Sequence, residues 1–144
     1  VTILAADVGR VNYGSNIPLD SIKAAKGKVF YKGAIVIVTI ADGLARPAGD
    51  ASQLSTSKVM GVAAYSLDTT NDVNDGDSSV YIQPGTLGDF DNGDTIAEAK
   101  VGQTFYVTDT NTVNLTAGSL PTGGTIYGIA DDGLTVICQF EVVR

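Results

Sequence analysis

The sequence predicts an all-β fold, a small β-barrel or β-sandwich with one or two short helical turns and an extended N-terminal arm. Three observations carry this prediction. Residues 29–40 read VFYKGAIVIVTI, so dense in β-branched and aromatic side chains that extended backbone is their natural state. Seventeen glycines against four prolines, with abundant Val, Ile and Thr, suit many short strands joined by tight turns. Clusters of Asp, Asn and Gly at 42–43, 68–77, 89–94 and 131–133 separate the apolar runs and place the turns. With 144 residues and 44% hydrophobic content, the chain is one ordinary domain, able to bury a core without metals or disulfides.

Residues 1–27 form the predicted arm and 28–144 the β body. The arm opens with the apolar run VTILAA, after which Gly9, Asn12, Gly14, Ser15, Asn16 and Pro18 crowd too closely for a long strand or helix. Residues 19–25 have helical spacing with Asp20 or Ser21 as a cap, and Gly27 stops them after two turns at most. Residues 29–40 are read as one central strand. After Gly33, seven residues pass with only Thr39 polar, so both faces of that strand should meet protein, since one facing water would alternate. Asp42-Gly43 is a turn, 44–47 resumes briefly, and 49–58 is a surface loop.

Residues 59–67 make a second buried strand, in which Gly61 and two alanines leave space for a close neighbour. A short strand at 79–83 ends at Pro84-Gly85. Asp94 is a plausible N-cap for one or two helical turns over 95–100, closed by Gly102. Strands at 103–109, 113–115, 125–130 and 134–143 complete the chain. In the last, Leu134, Val136, Cys138, Phe140 and Val142 alternate with more polar positions and predict one buried face.

Chemistry is weighed by subtraction. Without histidine there is no Ser-His-Asp or Cys-His arrangement and no histidine metal site, and one cysteine cannot build a zinc cage or an intramolecular disulfide. Cys138 lies in an apolar run, where a free thiol acts as a small buried hydrophobe. The acidic stretches 68–77 and 89–94 fail the EF-hand register: glycine falls one place early and no glutamate occupies the twelfth position. Both are read as turns without calcium. No phosphate-binding loop or dinucleotide fingerprint is present, so the expectation is a protein without catalytic, cofactor-binding or metal-binding residues.

The net charge of −7 is uneven, with six basic and four acidic groups in the first fifty residues and three against twelve in the rest. So acidic a body repels phosphate, which argues against nucleic acid. The lysines between 23 and 32 suit a guarded strand edge, or contact with an acidic partner. No apolar stretch of about 18 residues predicts a membrane span, no signal peptide is visible, and a protein in solution is expected.

The order of segments is informative. KVFYKGAIV at 28–36, GVA at 61–63, Gly76-Asp77 leading to VYI at 80–82, a helical turn before GQTFYV at 102–107, and 124–130 before a closing strand together resemble the capsid cement, or decoration, proteins of tailed bacteriophages. The resemblance covers roughly residues 28–144. It implies a small β-barrel or β-sandwich subunit, made in the host cytoplasm, that forms a homotrimer and sits at threefold positions on the outer surface of the capsid. Its partner would be the major capsid protein, its role to stabilise the head against internal DNA pressure, and it has no catalytic residues to transfer.

The arm is longer than in a minimal member, so it either docks on the shell or folds back on its own subunit. The candidate capsid-binding residues are Val1, Thr2, Ile3, Leu4, Val8, Arg10, Val11 and Tyr13, because a terminal apolar strand can pair with an exposed sheet edge. On that reading, removing residues 1–13 leaves the body folded. The alternative is a carbohydrate-binding β-sandwich module of a phage tail or cell-surface protein. A sugar platform needs clustered aromatics, whereas tryptophan is absent and the six tyrosines are scattered along the sequence.

Overall fold

The run 29–40 is two strands, and the break between them organises the molecule. In a computed structural model, which describes residues 3–13, 20–51 and 53–140, the strands in chain order are β1 (Asp20–Lys23), β2 (Val29–Phe30), β3 (Ile35–Val38), β4 (Ala45–Pro47), β5 (Lys58–Ala63) and β6 (Leu67–Asp68). They continue with β7 (Ser79–Gln83), β8 (Thr86–Asn92), β9 (Thr104–Val107), β10 (Thr112–Asn114), β11 (Thr122–Ile129) and β12 (Thr135–Phe140). Gly33 makes the break, with a left-handed φ of +87° that a continuous strand of L-residues does not accommodate. β2 therefore turns away to pair with β6, and β3 enters a sheet.

That sheet has the antiparallel order β1-β7-β5-β3-β4. Its two edges meet in a parallel bridge between Ala24 and Ala45, where the Ala25 N–H donates to the Ala45 carbonyl at 3.0 Å. Ala24, Phe30, Val36, Ala45, Ala63, Val80 and Ile82 fill the small core inside. The second layer is a closed barrel in the order β10-β8-β12-β11-β9, with β10 and β8 parallel and the other neighbours antiparallel.

Ile35, Ile37, Val59 and Val62 reach from β3 and β5 into the same core as the barrel's Phe90, Phe105 and Phe140. β3 thus sends Val36 to one core and its isoleucines to the other, so both faces meet protein as the apolar run predicted. Each buried aliphatic side chain contributes about 1.5–3 kcal/mol. Gly61 also fits its expected role: at φ +131°, a Cβ there would stand 2.5 Å from the Gln83 carbonyl oxygen on the neighbouring strand.

Several expectations are corrected. The helical spacing over 19–25 gives way to strand β1, in which Ile22 turns inward between exposed Ser21 and Lys23, a period of two that an available partner strand selects. Residues 89–92 belong to β8, with Phe90 buried between two outward aspartates, and only Gly93 and Asp94 turn. The helix over 95–100 shrinks to a 3₁₀ turn at Glu98–Lys100 without a side-chain cap. Asp94 instead accepts from the Leu115 and Thr116 amides at 2.8 and 3.2 Å.

The long second strand stops at Ala63 before β6 begins. Gly123 and Gly124, outside the strand expected at 125–130, lie within β11. Leu134 stands exposed in the hairpin turn, whereas Val136, Cys138 and Phe140 are buried and Val142 lies outside the described residues. After Asp68, the last residue of β6, the acidic stretch to Asp77 is a series of turns, and three of its four carboxylates accept from main chain: Asp68 from the Thr70 amide, Asp75 from Lys26 and Asp77 from Asn74.

Candidate interaction surface along the N-terminal run

Residues 3–13 lie along the body and are fastened to it at intervals. The Leu4 N–H donates to Thr110 Oγ1 at 3.0 Å, the Lys32 N–H to the Asp7 carboxylate at 2.9 Å, and the Val8 N–H to the Lys32 carbonyl at 2.8 Å. Arg10 is the main fastening. Its Nε donates to the Gly33 carbonyl at 2.9 Å, Nη1 to the Asp89 carbonyl at 2.6 Å and Nη2 to Asn111 Oδ1 at 2.6 Å. The guanidinium carbon stands 4.0 Å from the centroid of the Phe90 ring, a cation–π contact with a core side chain. Burial pulls its pKa down to about 10, against the opposing pull of Asp89 and Asp91. The group stays charged at neutral pH and keeps all its donors.

Beyond Arg10 the run becomes part of the sheet structure. The Gly88 N–H donates to the Val11 carbonyl at 3.0 Å and the Tyr13 N–H to the Thr86 carbonyl at 2.8 Å, on either side of an antiparallel bridge between Asn12 and Leu87. These residues pair with the first part of β8, whose far end pairs with β10. β1 then pairs with β7, so two stretches of the N-terminal segment run antiparallel to consecutive strands, one in each layer.

The candidate residues are thus distributed rather than gathered. Val1 and Thr2 lie outside the described residues. Ile3 is 65% exposed, Leu4, Val8 and Arg10 are partly buried against their own body, and Val11 and Tyr13 are exposed. Two clefts flank the start of the run. One, of about 500 Å³, lies between Ala5, Ala6, Asp7 and the β2–β6 pair; the other, of about 210 Å³, lies between Ile3, Leu4, Pro47 and Thr110. Val29 and Tyr31 line both. Sequence reasoning had placed those two inside the central strand, and the flanking Lys28 and Lys32 were the only sign of exposure.

Four of the six tyrosines pair in space. Tyr13 and Tyr127 have ring centroids 6.5 Å apart at an interplanar angle of 33°, and Tyr65 and Tyr81 meet edge to face at 6.0 Å. Scattering along the sequence does not carry over to space. Cys138 lies inside the barrel, where burial pushes its thiol well above the usual range and leaves it protonated and unreactive. Among the described residues no group of three or more His, Cys, Asp or Glu converges as a metal site, and no helix is long and apolar enough to cross a membrane. Compared with protein-family models, curated proteins and solved structures, the chain matches none.

Proposed function

We propose that this chain is a non-catalytic structural virion protein that binds the outer surface of a tailed-phage capsid as a homotrimer at threefold positions and stabilises the head against its DNA. The observation supporting this reading is the start of the N-terminal run: exposed Ile3, with exposed Ala5 and Ala6, is held over a fixed β body between two clefts that share Val29 and Tyr31. A strand of the capsid protein laid in this place gains main-chain contacts along the run and apolar contact with Ile3, Val29 and Tyr31 together. The body holds the run in position before contact, which lowers the ordering cost of binding.

Stabilisation then follows from linkage. A subunit that binds only the intact lattice stabilises it by about 2.7 kcal/mol per site at a free concentration 100 times its dissociation constant. Three such edges in one trimer add avidity, because the second binds at high effective concentration after the first. The test is Ile3→Glu, mixed with undecorated heads of the phage that encodes the chain. The variant should keep its melting temperature and lose attachment. Full attachment of Ile3→Glu, or a monomer mass for the native protein by light scattering at micromolar concentration, would overturn the reading.

A further inference from the structure

We propose that the outer wall of the barrel carries a binding platform for neutral saccharide, built on Tyr13 and Tyr127 and separate from the Ile3 end of the run. The two rings are 43% and 53% exposed, with centroids 6.5 Å apart and planes tilted by 33°. Tyr13 is fixed from below. Its backbone is bonded to β8, and a Cβ built on Gly88 would come within 2.8 Å of its ring, so the ring rests on bare main chain and stays half-exposed. Tyr127 sits at the point where the β11–β12 register shifts by one residue, an irregularity that re-aims a side chain out of the pleat.

Polar groups lie in register beside the rings. Thr125 on β11 pairs with Gln139 on β12, and Gln139 pairs with Thr86 on β8, giving a row of neutral hydrogen-bonding side chains across the same three strands. Flat apolar faces beside a few placed polar groups suit a pyranose, which presents C–H bonds on one face and hydroxyls around its rim. The partially positive C–H hydrogens meet the negative face of a tyrosine ring.

Charge and area narrow the ligand. β8, β11 and β12 carry Asp89 and Asp91 and no cationic residue of their own, and Arg10, set against β8, offsets one of those charges; the remaining negative charge opposes phosphates, acidic sugars and anionic lipid. Two half-exposed rings offer about 200 Å², far short of the roughly 800 Å² per partner of a stable protein interface. A small neutral ligand fits this surface better than a second copy of the chain.

The experiment is affinity electrophoresis of the full chain through gels containing dextran, mannan, xylan or galactan, with polygalacturonate as the anionic control. At least one neutral polymer should retard the protein and polygalacturonate should not. Tyr127→Ala should weaken that retardation about tenfold, a typical loss for one stacking ring, while Tyr127→Phe retains it. Gly88→Ala should weaken it as well, by displacing the Tyr13 ring without touching the core. The proposal is overturned if no neutral polymer retards the protein, or if Tyr127→Ala is retarded like the native chain. It is equally overturned if Tyr127→Ala instead dissociates a self-associated form seen by light scattering, because a second copy would then cover the face.

Discussion

The closed barrel and the five-stranded sheet both avoid bare strand edges, by different means. The barrel is hydrogen-bonded all the way round and filled by large side chains, with Phe140 in edge-to-face contact with Phe90 and with Phe105, each at 5.4 Å. Among the described residues, the sheet closes through one isolated bridge between two alanines, around a core whose only aromatic is Phe30. A layer filled from within holds itself together. A layer closed by a single bridge depends on what lies across it, here the β2–β6 pair and the N-terminal segment that Arg10 ties to the barrel.

The largest effect should come from emptying the barrel. Phe105→Ala removes a ring that packs on Gly123 and Phe140, and is expected to cost about 3–5 kcal/mol in urea unfolding. A cost below that of Phe30→Ala would reverse the ranking of the two layers.

Next comes the tie between them. Arg10→Met keeps much of the packing but leaves the Gly33 and Asp89 carbonyls and the Asn111 amide without their donor. The expected loss is about 2–3 kcal/mol, and a melting temperature lower by about 5–10 °C for a chain of this size. Deleting residues 1–13 should cost at least as much, contrary to the expectation from sequence that the body would not notice. An unchanged melting temperature in both variants would show that the tie carries no stability.

The smallest effect belongs to the sheet's outer edge. The side-chain hydrogen bond from Arg46 lowers the Asp42 pKa, helped by the Leu44 amide. A carboxylate depressed in the folded state stabilises above its unfolded pKa of about 4, and that contribution is lost as pH falls through the folded value. Because the pair is exposed, Asp42→Asn should cost only about 0.5 kcal/mol or less at pH 7. The difference from the native chain should vanish in acid.

Fold class and most strands were legible because burial imposes local patterns: the apolar run around β3, the Gly61 contact and the alternation of Val136, Cys138 and Phe140. Two of the misses share a cause. β1 and β8 are strands because β7 and β12 lie beside them, and neither Asp20–Lys23 nor Thr86–Asn92 shows that partner in its own composition. The surface was harder still. Arg10 could be named from sequence, but its acceptors at positions 33, 89 and 111 are brought together only by the folded chain. The same holds for Tyr13 beside Tyr127.

Arg10 and the side chain of Asn111 that receives it are 101 residues apart. On a ribosome adding about 5–20 residues per second, the arginine therefore waits about 5–20 s for its acceptor to be made. Through that interval Ile3, Leu4 and Val8 have no finished body to lie against and are open to whatever chaperone or neighbouring nascent chain meets them first. The segment that ties the two layers together is made well before the acceptor it needs and is among the last to settle. Conditions that slow elongation should therefore raise the misassembled fraction more in the native chain than in one lacking residues 1–13.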